Sequence, residues 1–199
     1  MKKHLFLLFF LPILMAATTF DSKTSTTTES YESGVYKLME VIDNFLPEHD
    51  FVSLCSVIMS PAMPWYYAPY VATDGLINSN GHYFHNIFIE GEVKNDALFH
   101  LVNRIVEPMG VGDDIFRMRL ISFPRTSEIF HHETHQDASL SHTSLLMYMN
   151  TNNGFTNHDS GEQVKSVANR ALIHDPSKPH NSTTCTDAQR RVVLTINYL

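Results

Sequence analysis

His135, Gln136 and Asp137 stand together in the sequence, and His180 and then Arg191 follow in order. Two imidazoles and one carboxylate can occupy one face of an iron ion. Because they supply only three ligands, they leave coordination positions open for a chelating oxoacid and for dioxygen, which a closed four-ligand site cannot do. In extended chain, residues i and i+2 point the same way, so His135 and Asp137 are expected to face one metal while Gln136 faces the opposite side. The run from Arg190 to Tyr198 is rich in β-branched residues and reads as a strand. Its alternation puts Arg191, Val193, Thr195 and Asn197 on one face and turns Arg190 away. A guanidinium in that row can clamp a carboxylate through two parallel hydrogen bonds. That chemistry is an oxygenase's.

A His-x-Asp triplet is a weak signal by itself in a chain with 12 histidines. The order of the four elements is what makes it specific. His180 closes the turn-rich segment Asp175-Pro-Ser-Lys-Pro-His, just after the apolar Ala171-Leu172-Ile173, with Arg191 a hairpin's length beyond. A zinc-protease motif fails on the neighbouring residues: from His132-Glu133 the second histidine would have to stand at position 136, which is glutamine. His131, His132 and His142 are accordingly expected to be solvated or to flank the ligands.

The elements that must position these residues can be read coarsely. Phe51, Leu54, Cys55, Ile58 and Met59 after Pro47 have helical spacing. So do Leu98, Leu101, Val102, Ile105 and Val106, with Asn95 or Asp96 as cap and Pro108-Met109-Gly110 as stop. After Ile115 the texture changes to short strands over 116–123, 144–150, 170–174 and 190–198. This is α+β organisation, with helices packed on one side of an antiparallel β-sandwich or jelly roll. Arg117 and Arg119 share one face of their strand and are expected to pair with local acids.

Several stretches resemble the Fe(II)- and 2-oxoglutarate-dependent dioxygenase superfamily, and within it the prolyl 4-hydroxylase-like branch of small bacterial and phage proteins. They are VIDNFLP (41–47), PWYY (64–67), YFHNIF (83–88), HQD (135–137), YMNTNNGFT (148–156), SVANRALIHD (166–175) and RRVVLTINY (190–198). The resemblance runs from Met39 to Leu199. It implies a double-stranded β-helix (jelly roll) core, with Fe(2+) on His135, Asp137 and His180. It also implies 2-oxoglutarate anchored on Arg191 and Tyr148 with Thr195 as a secondary contact, O2 as oxidant and ascorbate as a possible reductant. Two positions depart from the branch: Phe123 stands where many prolyl hydroxylases carry tyrosine, and Asn197 where several carry tryptophan. Asp137 itself disfavours the halogenase variation, which needs a small residue there. Peptidyl proline is the leading substrate, with Trp65, Tyr66, Tyr67 and His85 as pocket-lining residues for a peptide or small molecule. A non-catalytic metal- or carbohydrate-binding β-sandwich and a zinc-dependent hydrolase on the same ligands stay open as alternatives.

Composition bounds the remainder. With 199 residues, 43% hydrophobic and 18% charged, the chain has the makings of one globular domain, expected over 35–199. A net charge of -7 without a basic stripe argues against general nucleic-acid binding. Cys55 and Cys185 are too few for a disulfide framework. Lys2-Lys3, the apolar stretch from Leu5 to Met15 and then Ala16-Ala17 make 1–17 signal-like, too short for a stable membrane span. The Thr- and Ser-rich residues 18–34 read as a linker. Such an amino terminus favours a secretory or periplasmic route, and without it the chain would be cytoplasmic.

Overall fold

The computed structural model describes residues 39–71, 80–137 and 141–199. The signal-like segment 1–17 and the linker 18–34 lie outside the described residues. In chain order the elements are β1 (Met39–Ile42), α1 (Glu48–Ile58), β2 (Tyr66–Ala68), β3 (His82–Ile89), β4 (Glu92–Val93), α2 (Asp96–Val106), β5 (Ile115–Pro124), β6 (Thr143–Tyr148), β7 (Phe155–His158), β8 (Gln163–Lys165), β9 (Arg170–His174), β10 (His180–Ser182) and β11 (Arg190–Tyr198). The large sheet runs β1-β9-β6-β11-β5-β3-β2, with β4 on β3, and the small sheet runs β10-β7-β8. Every pairing in both is antiparallel.

The large sheet is two-faced because its strands alternate. On β11, Val192, Leu194 and Ile196 join an apolar cluster with Leu145 and Met147 of β6, and with Met118 and Leu120 of β5. Leu54 and Ile58 of α1 and Leu98, Val102 and Val106 of α2 belong to the same cluster. Each such side chain taken out of water contributes roughly 1.5–3 kcal/mol. Val193 faces the other way and packs with Phe123, Tyr148 and Leu172, and Val164 of the small sheet lies on that second cluster. Arg191 and Thr195 share Val193's face, as the alternation predicts.

Both helices lie where the spacing puts them. Asn95 caps α2, its side chain accepting from the Leu98 amide at 3.1 Å. The four expected strands appear as β5, β6, β9 and β11. No described helix is long and apolar enough to cross a membrane.

Candidate metal centre and anion pocket

A cavity of about 660 Å³ opens on the inner face of the large sheet. Its lining includes His135, Asp137 and His180 together with Arg191, Val193 and Thr195. The chain brings the first three together with little regular structure. His135 lies outside the named strands, in an isolated bridge to His180 at the start of β10. The two residues exchange both backbone hydrogen bonds, His135 N–H to the His180 carbonyl at 2.9 Å and the reverse at 3.0 Å. Asp137 is fixed by its own amide, which donates to the Pro176 carbonyl at 2.9 Å.

One ligand atom from each of the three residues lies within 4.8 Å of the others. The protonation pattern suits a cation. Each histidine Nδ1–H donates to a backbone carbonyl two residues upstream, His135 to Glu133 at 3.0 Å and His180 to Lys178 at 2.9 Å. That fixes the tautomer and leaves both Nε2 lone pairs aimed inward. Burial pushes the His180 imidazole below its ordinary value, against the Lys178 carbonyl that favours the protonated form, and the His135 ring lowers it further. A neutral imidazole is the form that ligates. The donor set, two imidazole nitrogens and a carboxylate, fits an open-sided Fe(II) centre.

The far end of the cavity is held differently. Arg191 is 0% exposed, and it donates to Ser166 Oγ at 2.7 Å, Thr156 Oγ1 at 2.9 Å and the Thr183 carbonyl at 3.3 Å. None of these partners is an acid. The guanidinium lies 5.3 Å from the Phe123 ring centre and 5.5 Å from that of Tyr148. Burial lowers its pKa, yet a guanidinium does not deprotonate in a protein, so a cation sits inside with only neutral partners among the described residues. Gly154 makes room for it: a Cβ there would stand 2.8 Å from Arg191 Cδ and 2.7 Å from the Thr184 carbonyl oxygen. Tyr148 is also fully buried, and its hydroxyl donates to Thr156 Oγ1 at 2.9 Å. Tyr148 and Arg191 therefore meet at one threonine oxygen. Thr195 faces the cavity and donates to the Arg119 carbonyl at 3.2 Å.

Several expectations need correction. Gln136 lines the cavity instead of facing away, because 133–137 is not a regular strand. His132 and His142 are buried, at 2% and 6% exposure, so neither is solvated. Trp65, Tyr66, Tyr67 and His85 do not line the cavity. Tyr66 and Tyr67 lie exposed on the edge strand β2, Trp65 packs under the Arg190 guanidinium, and His85 bonds the Pro64 carbonyl and Asn95. The sequence reading missed Thr156, Ser166 and Thr183 as partners of Arg191, and it did not place Arg117 and Arg119 in the cavity. The arginines were findable: on β5 the alternation that carries Phe123 and Ile121 inward carries Arg119 and Arg117 with them.

No protein-family sequence model and no curated protein sequence matches the chain. Solved structures do. A 2OG-Fe(II) oxygenase family oxidoreductase from Burkholderia pseudomallei aligns over 81% of this chain and 84% of its own, with TM-score 0.61 at 10% identity. A prolyl hydroxylase from Trichoplax adhaerens, solved with a hypoxia inducible factor oxygen degradation domain peptide fragment, covers 81% of this chain and 83% of its own at TM-score 0.59 and 12% identity. A Pseudomonas putida prolyl-4-hydroxylase covers 81% and 92%, with TM-score 0.52 and 15% identity. The chain has the fold of these oxygenases.

Proposed function

We propose that the protein is an Fe(II)- and 2-oxoglutarate-dependent dioxygenase that hydroxylates its substrate, on a double-stranded β-helix with α1 and α2 against one side. The observation that carries this reading is the buried Arg191, a cation whose hydrogen-bond partners among the described residues are all neutral, on the same cavity as the His135, Asp137 and His180 cluster. A structural arginine in a protein core normally has an acid beside it. One without an acid is an anion receptor, and 2-oxoglutarate carries a carboxylate at the right end to fill it.

The roles follow from the geometry. His135 and His180 present neutral Nε2 atoms, Asp137 a carboxylate, and the three together would hold Fe(II). The chemistry supplied by the bound metal is the oxidative decarboxylation of 2-oxoglutarate by O2 to succinate and carbon dioxide, coupled to oxidation of the substrate, with ascorbate as reductant. Arg191 would clamp the distal carboxylate, with the Thr156 hydroxyl, itself held by Tyr148, at its side. Val193, Ile121 and Leu146 line the cavity with hydrocarbon and exclude water. Arg117 donates to Asp137 Oδ2 at 3.2 Å and so orients the carboxylate. The signal-like residues 1–17 would direct the 35–199 domain to a secretory or periplasmic route, which N-terminal sequencing of the expressed protein checks.

The test is succinate formation from 2-oxoglutarate by the purified chain with Fe(II), ascorbate and oxygen, beside direct titration of 2-oxoglutarate. Wild-type protein is expected to bind and turn over the cosubstrate, and Asp137→Ala to lose turnover. Absence of both binding and turnover in the wild type defeats the reading.

A further inference from the structure

The charges lining the cavity do not balance around the cosubstrate alone. Its described walls carry three guanidiniums, Arg117, Arg119 and Arg191, against one carboxylate, Asp137. A divalent metal and dianionic 2-oxoglutarate cancel each other. The two carboxylates of 2-oxoglutarate are answered by Arg191 and by the metal, which leaves the β5 arginines over.

Neither of those two is well compensated. Arg119 donates from Nε to the neutral Asn86 Oδ1 at 2.8 Å and lies over the Phe84 ring at 5.1 Å. Among the described residues Arg117 has only Asp137 as a partner, shared with the cluster, and its Nε is buried without a hydrogen bond. The pair stands at i and i+2 on β5, opposite Asn197 and Thr195 of β11, so both face one space. Burial, and then the charge of Arg117, lower the Arg119 guanidinium, and the one carboxylate Asp137 offsets this only in part. Two like charges held together in a half-enclosed wall repel each other, and an anion between them removes that repulsion. The surplus is local, since the chain as a whole carries -7.

Position separates this pair from the cosubstrate anchor. Arg191 pairs across the ladder with Phe123, four residues along β5 from Arg119, which is about 13 Å at the usual strand rise. Ile121, Val193 and Leu146 fill the interval with apolar surface.

We propose that the substrate oxidised here carries an anionic group, a carboxylate or a phosphate, held between Arg117 and Arg119, with its reacting carbon toward the His135, Asp137 and His180 cluster. This rests on the dioxygenase reading above and names the substrate class of that site. A neutral prolyl peptide leaves both guanidiniums unanswered.

The test titrates three probes into full-length protein loaded anaerobically with Mn(II) and saturating 2-oxoglutarate, read by calorimetry. The probes are inorganic phosphate, the N-acetyl α-amide of aspartate, and the same derivative of asparagine, which is uncharged. Phosphate and the aspartate derivative are expected to bind, and the asparagine derivative not to. Whichever anion binds more tightly identifies the group as phosphate or carboxylate. Arg119→Gln and Arg117→Gln should each weaken the anions at least about tenfold, as loss of a charge-assisted contact does, while Arg119→Lys and Arg117→Lys keep most of the affinity. The Arg117→Gln variant serves if Arg119→Gln does not fold.

Absence of anion binding in the wild type, or binding undiminished in both glutamine variants, overturns the proposal. So does a tenfold loss of 2-oxoglutarate affinity in those variants, which would make the pair part of the cosubstrate site and leave the dioxygenase reading intact. Failure of the wild type to bind 2-oxoglutarate at all, seen in the preceding titration, defeats both.

Discussion

The two ends of the cavity are built on opposite principles. At the Arg191 end a fixed charge sits in the middle of the large sheet, on a nine-residue strand paired on both sides. At the His135, Asp137 and His180 end the ligands come from irregular chain and the three-residue β10, joined by one isolated bridge. On the proposed reading, the first end would hold the cosubstrate by a rigid charge that needs no adjustment. The second gathers two imidazoles and a carboxylate whose geometry a cation can complete, and its precision comes from hydrogen bonds to Glu133, Lys178 and Pro176 carbonyls more than from packing. On the same reading, the sheet would fix where the cosubstrate lies and the bridge where the metal lies.

The largest effect should come from the metal end. His180→Ala removes a ligand and one half of the ring pair that faces His135 at 4.7 Å. Loss of a mere supporting partner costs metal affinity about 10–100-fold, so loss of the ligand itself should exceed that. Metal titration followed by succinate assay checks it, while a melting curve should show the large sheet intact, because β10 contributes nothing to that sheet. A collapse of the whole fold would break the distinction between the two ends.

The Arg191 end makes the converse prediction. Arg191→Met removes a buried charge that no acid compensates, so the protein without cosubstrate should be as stable as the wild type or more stable, by roughly 1–4 kcal/mol. The same change should cost 2-oxoglutarate binding about 2–5 kcal/mol, since a buried charged contact is lost. Arg190→Met, whose side chain turns outward to the Met59 carbonyl and the Trp65 ring, should leave that binding unchanged. Denaturant melts and calorimetry on both variants separate the two effects. Destabilisation by Arg191→Met would make the arginine structural.

A third prediction concerns pH. His82 and His132 pack against Phe123 from two directions, at 5.9 and 4.9 Å between ring centres, and burial holds both imidazoles down at about 4. The Arg191 charge adds to the depression of His132. Unfolded histidine takes up its proton near pH 6.5, and these two, folded, do not until about 4. The unfolded state therefore binds more protons in that window, so stability is full above about 6.5 and is lost as pH falls toward 4, by a few kcal/mol. Melting temperature against pH measures it. His132→Phe, which places another ring beside Phe123 and Phe130, should flatten the slope, and an unchanged slope would remove His132 from the cause.

How much of this was legible follows the same division. β5, β6, β9 and β11 announce themselves because their β-branched and apolar residues alternate against a core. β7 and β10 carry Asn, His, Thr and Ser and bury little, so no periodicity marks them. His135, Asp137, His180 and Arg191 could be named because order and residue type suffice to nominate a donor set. Thr156, Ser166 and Thr183 could not, because a hydroxyl near a buried arginine is defined by tertiary pairing, and β7 and β10 were themselves unread. Gln136 was assigned to the wrong side because strand alternation was applied to chain that forms only isolated bridges. Arg117 and Arg119 were seen on one face, but which face looked into the cavity became clear only once β5 paired with β11.

The smallest effect tests how far the two ends are joined. Tyr148 does not itself line the cavity; its hydroxyl reaches the cosubstrate end by donating to Thr156 Oγ1, the same oxygen that accepts from Arg191 Nη2, and by a weaker contact with the Arg191 guanidinium itself. Tyr148→Phe keeps the ring under the guanidinium and removes the hydroxyl with its bond to Thr156, worth about 1 kcal/mol. Affinity for 2-oxoglutarate should fall about fivefold and metal affinity not at all, since no bond from Tyr148 leads to His135, Asp137 or His180. Thr156→Val should cost more than Tyr148→Phe, because it removes the shared oxygen from both partners, and the double variant should be no worse than Thr156→Val alone. Additive losses in calorimetry would mean that Tyr148 meets the cosubstrate directly and that Thr156 is not the link.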